Sequence, residues 1–343
     1  MRKLLNTLYV TVADAYLSLE GETVVVRNND EKLLQVPLLN LESIVTFGYP
    51  CASPALMAAC AKRGVALSFC SANGRFLADV RGEVQGNVIL RRTQYRTADD
   101  ETASLEIAKN ILVAKLHNSR WVLERATRDH AARLDIEKIK RVSQFIAASI
   151  LQVESALESK SLFGIEGEAA SLYFSVFDDL ILANKNDFFF QERSRRPPMD
   201  NVNALLSFIY TLLAHDTAAA LSTVGLDPFV GFLHKDRPGR RSLALDLMEE
   251  YRAPLADRFV LSFINARQVS GEDFSRHENG AVHLSDKARK TVLTAWQNRK
   301  KETIIHPYLK EKLEWGLVPY AGALLLARFL RGDLDGYPPF LWK

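Results

Sequence analysis

The sequence of 343 residues contains only three cysteines, and their spacing gives no sign of a disulfide framework or of a zinc site. Cys51, Cys60 and Cys70 are odd in number and stand nine and ten residues apart, whereas zinc sites use closely spaced cysteine pairs. We therefore expect all three to be reduced and buried, which is the ordinary state of cysteines in a reducing compartment.

The start of the chain lacks a long apolar run, since it reads Met-Arg-Lys-Leu-Leu-Asn over residues 1–6. Neither a signal peptide nor a membrane anchor is expected, and we predict a cytoplasmic protein. A large charge excess is also missing, because the net charge is only +3. That value excludes a polycation that coats nucleic acid indiscriminately, so any DNA-binding site must come from local clusters of positive charge.

Two kinds of hydrophobic periodicity meet near residue 95. Runs rich in β-branched residues precede it, and they predict strands at 7–12, 16–19, 23–27, 32–37, 43–46 and 66–70, with one helix that starts after Ser53 and ends before Gly64. Apolar residues then recur with the helical period, and they predict helices near 102–130, 136–157, 203–221, 242–265, 285–300 and 317–331. We predict an α+β protein with a small β-rich domain at 1–95 and a larger, mostly α-helical domain at 96–343.

The segment from Gly225 to Glu250 is the most informative part of the chain. His234 ends an apolar run, a cationic turn follows, and a helix with Ser242 as its predicted N-cap then places Asp246, Glu249 and Glu250 on one arc. Imidazole, carboxylates and arginines within one short span suggest divalent-metal chemistry on a phosphodiester. The alternatives are a hydrogen-bonded core histidine and a solvated acidic helix face that binds no metal.

A second acidic motif, Gly-Ile-Glu-Gly at 164–167, lies upstream of this segment. It places Glu166 between two glycines, at the predicted start of a helical pattern that continues from Ala169. Glycine on either side allows a ligand to approach the carboxylate closely. The alternative is an ordinary carboxylate at the N-terminus of a helix.

Positive charge is concentrated in three clusters, each of which is able to line a strand of phosphates. The second cluster is the favoured DNA-binding site, because it lies in the turn between two candidate metal ligands, where arginine can form a forked pair of hydrogen bonds with a phosphate. For the third cluster, a solvated helix face is equally favoured. The clusters are Arg193, Arg195 and Arg196; Lys235, Arg237, Arg240 and Arg241; and Lys287, Arg289, Lys290, Arg299, Lys300 and Lys301.

Aromatic residues supply weaker indications. Tyr173 follows Glu166 by two helical turns, so its ring can face the same site and bind a nucleotide by stacking or hydrogen bonding; the alternative is a core tyrosine with a satisfied hydroxyl. A group at the domain junction is open to DNA contact, to partner contact or to a covering role over the β-domain. Its members are Arg91, Arg92, Gln94, Tyr95 and Arg96.

Taken together, the segments resemble the CRISPR-associated integrase and endonuclease of spacer acquisition, CRISPR-associated protein one. The resemblance is carried by Gly-Ile-Glu-Gly at 164–167, Leu-Asp-Pro-Phe-Val-Gly-Phe-Leu-His at 226–234 and Ser-Leu-Ala-Leu-Asp-Leu-Met-Glu-Glu at 242–250. The N-terminal Asn-Thr-Leu-Tyr-Val at 6–10 and the ending Arg-Gly-Asp-Leu-Asp-Gly-Tyr-Pro-Pro-Phe at 331–340 look like its subtype I-C branch. The resemblance implies that Glu166, His234 and Glu249 are catalytic and bind Mn²⁺ or Mg²⁺, with Asp246 near the metal in a role left open.

The same resemblance implies an activity and partners. The activity is insertion of short double-stranded DNA fragments into the repeats of a CRISPR array, by attack of a 3′-hydroxyl on a phosphodiester. The partners are a second copy, joined largely through the β-domains, and the smaller CRISPR-associated protein two, which bridges two dimers. Two other hypotheses remain open, a metal nuclease acting on branched DNA in repair and a non-catalytic DNA-binding scaffold.

Overall fold

The computed structural model describes residues 7–12, 14–29, 31–48, 50–71, 76–80 and 88–343. Residues 1–6, where the sequence predicted neither a signal peptide nor a membrane anchor, lie outside the described residues. Strands dominate the N-terminal part and helices the rest, which confirms the α+β prediction. The chain forms two compact units, the first made of residues up to 85 together with 284–302, and the second of 86–283 together with 303–343.

Two four-stranded sheets form most of the first unit. The strands are β1 (Thr7–Val10), β2 (Tyr16–Glu20), β3 (Thr23–Asn28), β4 (Glu31–Pro37), β5 (Ser43–Phe47), β6 (Cys51–Ala52), β7 (Ala66–Cys70) and β8 (Phe76–Val80). One sheet has the order β1-β5-β7-β8, in which only β8 is antiparallel to its neighbour. The other has the order β4-β3-β2-β6. The sequence patterns did not predict β6 and β8.

The helix α1 (Pro54–Arg63) has the predicted caps. The Ser53 side chain accepts a hydrogen bond from the backbone N–H of Leu56, and Gly64 ends the helix with a φ of 66°, a conformation that glycine adopts without strain. Cys60 on this helix is buried in the core of the unit, and Cys70 is also buried. All three cysteines are free thiols, as expected, but Cys51 is exposed, so the prediction that it is buried is wrong.

Nine further helices follow α1 along the chain that the structure describes. They are α2 (Val88–Asp99), α3 (Glu101–Asp129), α4 (Ile136–Ser155), α5 (Ser159–Ser175), α6 (Asn201–Thr223), α7 (Ser242–Tyr251), α8 (Arg258–Asn265), α9 (Asp286–Lys301) and α10 (Val318–Leu330). Four short strands pair as β9 (Phe274–Arg276) with β10 (Val282–Leu284) and as β11 (Thr303–Ile305) with β12 (Lys312–Glu314). The periodicity did not predict α2.

Helix α9 belongs to the first compact unit, although the sequence placed it in the helical domain. Lys300 is 5 % exposed and its ammonium donates to Thr7 Oγ1 at 3.4 Å, so it is not a phosphate ligand in this arrangement. Arg289 and Arg299 form ion pairs with Asp286 and Glu302. Half of the third basic cluster is therefore engaged within the protein.

Helix α6 is the one described helix that is long and apolar enough to cross a bilayer, with a mean hydropathy of 1.4 over its most apolar window. The protein buries 67 % of that window. The core helix of a globular domain meets the same criteria, so this helix is weak evidence for a membrane span.

Helices α7 and α8 replace the single helix predicted over 242–265. A π-helical segment, Arg252–Asp257, joins them. Pro254 lies inside this segment and has no N–H to donate, so the α-helical hydrogen-bond ladder cannot continue through it. The predicted N-cap is also one residue off, because Arg241 occupies that position, and the Ser242 hydroxyl donates instead to the Lys235 carbonyl at 3.2 Å.

Candidate metal centre

Two of the predicted ligands, Glu166 and Glu249, meet at the same cation. Glu166 lies in the middle of α5 rather than at the start of a helix as predicted, and Glu249 lies near the end of α7. The ammonium of Lys115, from α3, donates to Glu166 Oε1 and lies 2.9 Å from Glu249 Oε2. Three helices thus direct two carboxylates and one positive charge to a common point.

The carboxylate of Glu249 is held in a fixed orientation. Arg252, in the π-helical segment, donates to Glu249 Oε1 at 2.6 Å, which leaves Oε2 on the side of Lys115. Burial by itself would raise the pKa of this carboxyl, but the charges of Arg252 and Lys115 outweigh it and lower the pKa to about 2. Glu249 is therefore an anion at any physiological pH, as a metal ligand must be.

Asp246 organises the loop that carries His234. Its carboxylate accepts the backbone N–H groups of Phe232, Leu233 and His234 at 2.6, 2.9 and 2.8 Å. It also bonds the ring Nδ1 of His234 at 2.6 Å. A β-carbon at Gly231 would lie 2.7 Å from Asp246 Oδ2, so glycine is needed for the loop to come this close.

These contacts give Asp246 a positioning role. A carboxylate that holds Nδ1 fixes the orientation of the imidazole and leaves Nε2 as the nitrogen available to a metal. The carboxylate oxygens of Asp246 contact three backbone N–H groups and one ring nitrogen of the same loop. Asp246 is therefore better suited to orient a metal ligand than to bind the metal itself.

The fit of Glu166, His234 and Glu249 to a divalent ion depends on the type and the spacing of their donor atoms. Among the residues that the structure describes, no three His, Cys, Asp or Glu side chains already stand at metal-binding separations. His234 lies close enough to Glu249 to contribute to the lowering of its pKa. Two carboxylates and one anchored imidazole are the donors that suit Mn²⁺ and tolerate Mg²⁺. The donor set fits such an ion once Lys115 moves aside, and the triad itself stays a prediction.

Neither of the two glycines that flank Glu166 is packed against another part of the protein. A β-carbon at Gly164 or Gly167 would meet nothing within 4 Å. Glycine in the interior of a helix costs about 1 kcal/mol relative to alanine, so two of them in one short helix lower its stability without any gain in packing. Close packing therefore does not require either glycine, and the approach of a ligand to Glu166 at this point stays a prediction.

Side chains from α2 anchor the loop that leads to His234. The Gln94 side chain donates to the carbonyls of Asp227 and Val230 at 2.8 and 2.9 Å and accepts the N–H of Asp227. Tyr95 donates to the Asp227 carboxylate at 2.8 Å, and Arg91 donates to the Gly225 carbonyl at 3.0 Å. Arg91, Gln94 and Tyr95 therefore position the loop. This role differs from the DNA contact, partner contact or covering role that the sequence suggested for them.

Tyr173 is a core residue. Its side chain is 3 % exposed, and its hydroxyl donates to Asp257 Oδ2 at 3.0 Å, while Tyr210 donates to Oδ1 of the same carboxylate at 2.5 Å. The ring also makes edge contacts with Phe174 and Phe177. This arrangement agrees with the alternative of a core tyrosine with a satisfied hydroxyl, and because Tyr173 also lines the cavity next to Glu166, its contact with a nucleotide stays a prediction.

The predicted DNA-binding residues differ in accessibility. Arg193 donates to Asn203 Oδ1 at 2.6 Å and to Ser207 Oγ at 3.1 Å. These hydrogen bonds attach its guanidinium to helix α6. Arg195 and Arg196 are exposed, and Arg195 lines a cavity of about 50 Å³ together with Lys115, Glu166 and Glu249. In the second cluster, Lys235 and Arg237 are exposed and Arg240 and Arg241 are half-buried. Their DNA contacts remain predictions.

Glu250 was placed on the same arc as Glu249, but it faces away from the centre. Its carboxylate accepts the Tyr337 hydroxyl at 2.6 Å and the Phe340 N–H at 2.7 Å. Burial raises its pKa to about 8, although both hydrogen bonds act in the opposite direction. Because Asp246, Glu249 and Glu250 are 0, 4 and 0 % exposed, the alternative of a solvated acidic helix face is wrong.

Sequence reasoning missed Lys115 and Arg252. Arg252 follows Glu249 by three residues, a spacing at which opposite charges on a helix meet, so this ion pair was open to prediction. Lys115 had no partner of opposite charge nearby in the sequence, because it is the only Lys, Arg, Asp or Glu within 110–119, and it meets the two carboxylates only through the packing of three helices.

Comparisons with known proteins agree with this architecture. Residues 8–298 match the family model of CRISPR associated protein Cas1. The chain is 49 % identical over 343 residues to CRISPR-associated endonuclease Cas1 1 of Chlorobaculum tepidum, with all of both chains covered. A solved casposase bound to integration product superposes with a TM-score of 0.84 at 22 % identity, covering 99 % of this chain and 95 % of that one. A Cas6-RT-Cas1–Cas2 complex gives 0.81 at 24 % identity, covering 98 % of this chain and 36 % of that one. These two likenesses show the shared fold.

Proposed function

Because the chain belongs to the family of CRISPR associated protein Cas1, we propose that it is a metal-dependent DNA endonuclease and integrase that inserts short DNA fragments into a CRISPR array. One observation of the structure carries the proposal most directly. Glu166 and Glu249 come from distant parts of the chain and direct their carboxylates at one cation, and Asp246, three residues before Glu249 on α7, anchors His234.

Glu166, Glu249 and His234 Nε2 are the groups that would hold the divalent ion. Such an ion supplies Lewis-acid stabilisation of the phosphate and activation of an oxygen nucleophile at neutral pH. Arg252 keeps Glu249 ionised and oriented, and Asp246 keeps the imidazole oriented. Arg195 and the cluster Lys235, Arg237, Arg240 and Arg241 orient the phosphates of the bound strands.

The reaction exchanges one phosphorus–oxygen bond for another. In strand transfer, the 3′-oxygen of the inserted fragment bonds to the phosphorus of the target strand, and the 3′-oxygen of the target strand leaves with a proton. When water attacks instead, the same site performs hydrolysis. Both outcomes use the same residues, so the bound DNA decides between endonuclease and integrase activity.

The finer assignments belong to the same proposal. We place the protein in subtype I-C, with Mn²⁺ or Mg²⁺ as its ion and the cytoplasm as its location. The first compact unit, residues up to 85 with 284–302, serves as the dimerisation domain, and the second, 86–283 with 303–343, serves as the catalytic domain, in place of the predicted bounds of 1–95 and 96–343. Two dimers are bridged by Cas2, and the substrates are a double-stranded prespacer and the CRISPR repeat. Support comes from proteins of the same fold, which were solved in a Cas1–Cas2 complex and with an integration product.

A strand-joining assay tests this function. The full chain, purified Cas2, a short duplex with free 3′-hydroxyls and a repeat-bearing plasmid are incubated with Mn²⁺. We expect covalent joining of duplex to plasmid. Glu166→Ala and His234→Ala should abolish joining and leave DNA binding intact, because they remove metal ligands and leave every lysine and arginine in place. Lys140→Gln, which breaks an ion pair with Glu124 away from the centre, is the control.

Two results would count against the proposal, and a third would show that the assay does not report on the metal centre. Nicking of branched DNA without any joining would favour the repair nuclease. Full retention of activity in both alanine variants would favour a scaffold whose partner does the chemistry. Equal loss in Lys140→Gln and Glu166→Ala would show that the assay reports folding rather than the metal centre.

A further inference from the structure

Lys115 is the one described side chain that touches both candidate metal ligands on α5 and α7. Its ammonium donates to Glu166 Oε1 and lies 2.9 Å from Glu249 Oε2, and the side chain is 13 % exposed. The backbone at this position is also fixed, because Ser119 Oγ donates to the Lys115 carbonyl at 2.9 Å. The ammonium therefore occupies the point on which the two carboxylates converge.

Two carboxylates at close range repel each other, and burial increases the repulsion because the surrounding dielectric is low. Arg252 compensates part of the charge of Glu249 through Oε1. Lys115 compensates Oε2 of Glu249 and Oε1 of Glu166 together. The ammonium of Lys115 thus places one positive charge between two carboxylates. A divalent cation would take the same position with twice the charge.

We infer that Lys115 is a built-in counter-ion that holds the two glutamates together in the metal-free protein and is displaced when the divalent ion binds. The inference rests on the proposed metal-dependent function. Metal binding at this centre is then an exchange of cations rather than the filling of an open site. The ammonium and the divalent ion compete for the same oxygens, and they also repel each other.

Two consequences follow from competition. Removal of the lysine charge should make the protein bind Mn²⁺ more tightly, since no cation has to be displaced. It should also destabilise the metal-free protein, since the two carboxylates are left uncompensated, and added metal should restore that stability. If Lys115 only connected three helices, its substitution would lower the stability of the protein with and without metal. The substitution would not tighten metal binding.

The first test compares Mn²⁺ binding to the wild-type chain, Lys115→Gln and Lys140→Gln, each stripped with EDTA and dialysed. Lys140 is the matched control, because it also pairs with a glutamate, Glu124, away from the centre. Isothermal titration without DNA should give at least tenfold tighter binding for Lys115→Gln and unchanged binding for Lys140→Gln. Equal or weaker binding by Lys115→Gln would overturn the inference.

A second measurement uses the wild-type chain alone, so it stands even when Lys115→Gln does not fold. Acetylation of lysines by a brief pulse of an acylating reagent is read by mass spectrometry in EDTA and in saturating Mn²⁺. Release of Lys115 from its ion pairs should raise its modification several-fold on metal binding, with Lys140 unchanged. Unchanged or reduced modification of Lys115 would contradict displacement.

Failure of the inference and failure of the proposed function are distinguishable. A wild-type chain that binds Mn²⁺ and joins DNA, combined with a Lys115→Gln variant that binds no more tightly, removes only the role of Lys115. A wild-type chain that shows no Mn²⁺ binding in the titration removes the metal centre, and the exchange of cations is then overturned with it.

Discussion

Glu249 and Glu250 are consecutive residues of α7, and both are buried. They face two different regions of the helical unit, one with charged partners and one with neutral partners. Glu249 faces the charged side chains of Lys115 and Arg252, which lower its pKa to about 2 against the effect of burial. Glu250 faces the Tyr337 hydroxyl and the Phe340 N–H, which are neutral donors, and burial raises its pKa to about 8.

The difference shows that burial alone does not decide the state of a carboxyl group. Glu249 stays ionised because full positive charges face it, whereas the two neutral donors that face Glu250 do not offset its burial, so Glu250 is protonated at neutral pH. One side of α7 is therefore prepared for a cation. The other side is a neutral contact that attaches the helix to residues 337–342.

Asn118 completes that neutral side. Its amide donates to the carbonyls of Glu250 and Phe340, both at 2.7 Å, and accepts the Trp342 N–H at 2.8 Å. It follows Lys115 by three residues on α3, so one helix supplies the central residue of both regions. The positions of α3 and α7 at the charged centre thus depend on the neutral contact behind it.

The largest expected effect separates the two glutamates by activity. Glu249→Gln should lower the rate of strand transfer by about a thousandfold, because it removes a charged ligand from the metal. Glu250→Gln should stay within about tenfold of the wild type, because the native group is already protonated at neutral pH. Initial rates of DNA joining at pH 7 measure both. Similar losses in the two variants would show that the regions are not functionally distinct.

The next effect concerns the neutral region alone. Asn118→Ala removes three buried hydrogen bonds and should lower the free energy of unfolding by about 3 kcal/mol, measured by chemical denaturation. Asn298→Ala on α9, an exposed position, should change it by less than about 0.5 kcal/mol. If the asparagine variants are equally stable, the contact with residues 337–342 does not hold α3 to α7.

The most gradual effect, the smallest when taken per pH unit, is a pH dependence. The unfolded chain releases the Glu250 proton near pH 4.5, but the folded chain keeps it until about pH 8. Stability contributed by the protonated group is therefore complete below pH 4.5 and falls between these values, by at most about 1.4 kcal/mol per pH unit. Glu250→Gln should flatten this slope relative to the wild type in denaturation curves at pH 5, 6, 7 and 8. A parallel slope in the variant would mean that Glu250 is ionised in the folded protein.

Much of the secondary structure was predictable because it depends on local patterns. The helices predicted at 102–130 and 136–157 are observed at Glu101–Asp129 and Ile136–Ser155, and α1 has both predicted caps. The misses have local causes as well. Pro254 divides the predicted helix 242–265, and α5 begins at Ser159, upstream of the apolar pattern that indicated it.

The candidate site was predictable only in part. The motifs indicated Glu166, His234 and Glu249, and the structure brings Glu166 and Glu249 to one cation and bonds His234 to Asp246 on the helix that carries Glu249. The motifs did not indicate Lys115, and they grouped Glu250 with Glu249 although Glu250 contacts Tyr337 and Phe340 instead. A helical period gives the direction of a side chain relative to its own helix, and it does not give the identity of the neighbouring element.

The sequence by itself determined the α+β class, most helix bounds, the family and the residue types of the candidate metal centre, because periodicity, caps and motifs are properties of neighbouring residues. The tertiary structure alone decided which cation two glutamates share, why adjacent carboxyls have opposite pKa shifts, and which arginines remain accessible. Those properties depend on distances between residues far apart in the chain and on the exclusion of water around them, and both are set only when the helices pack.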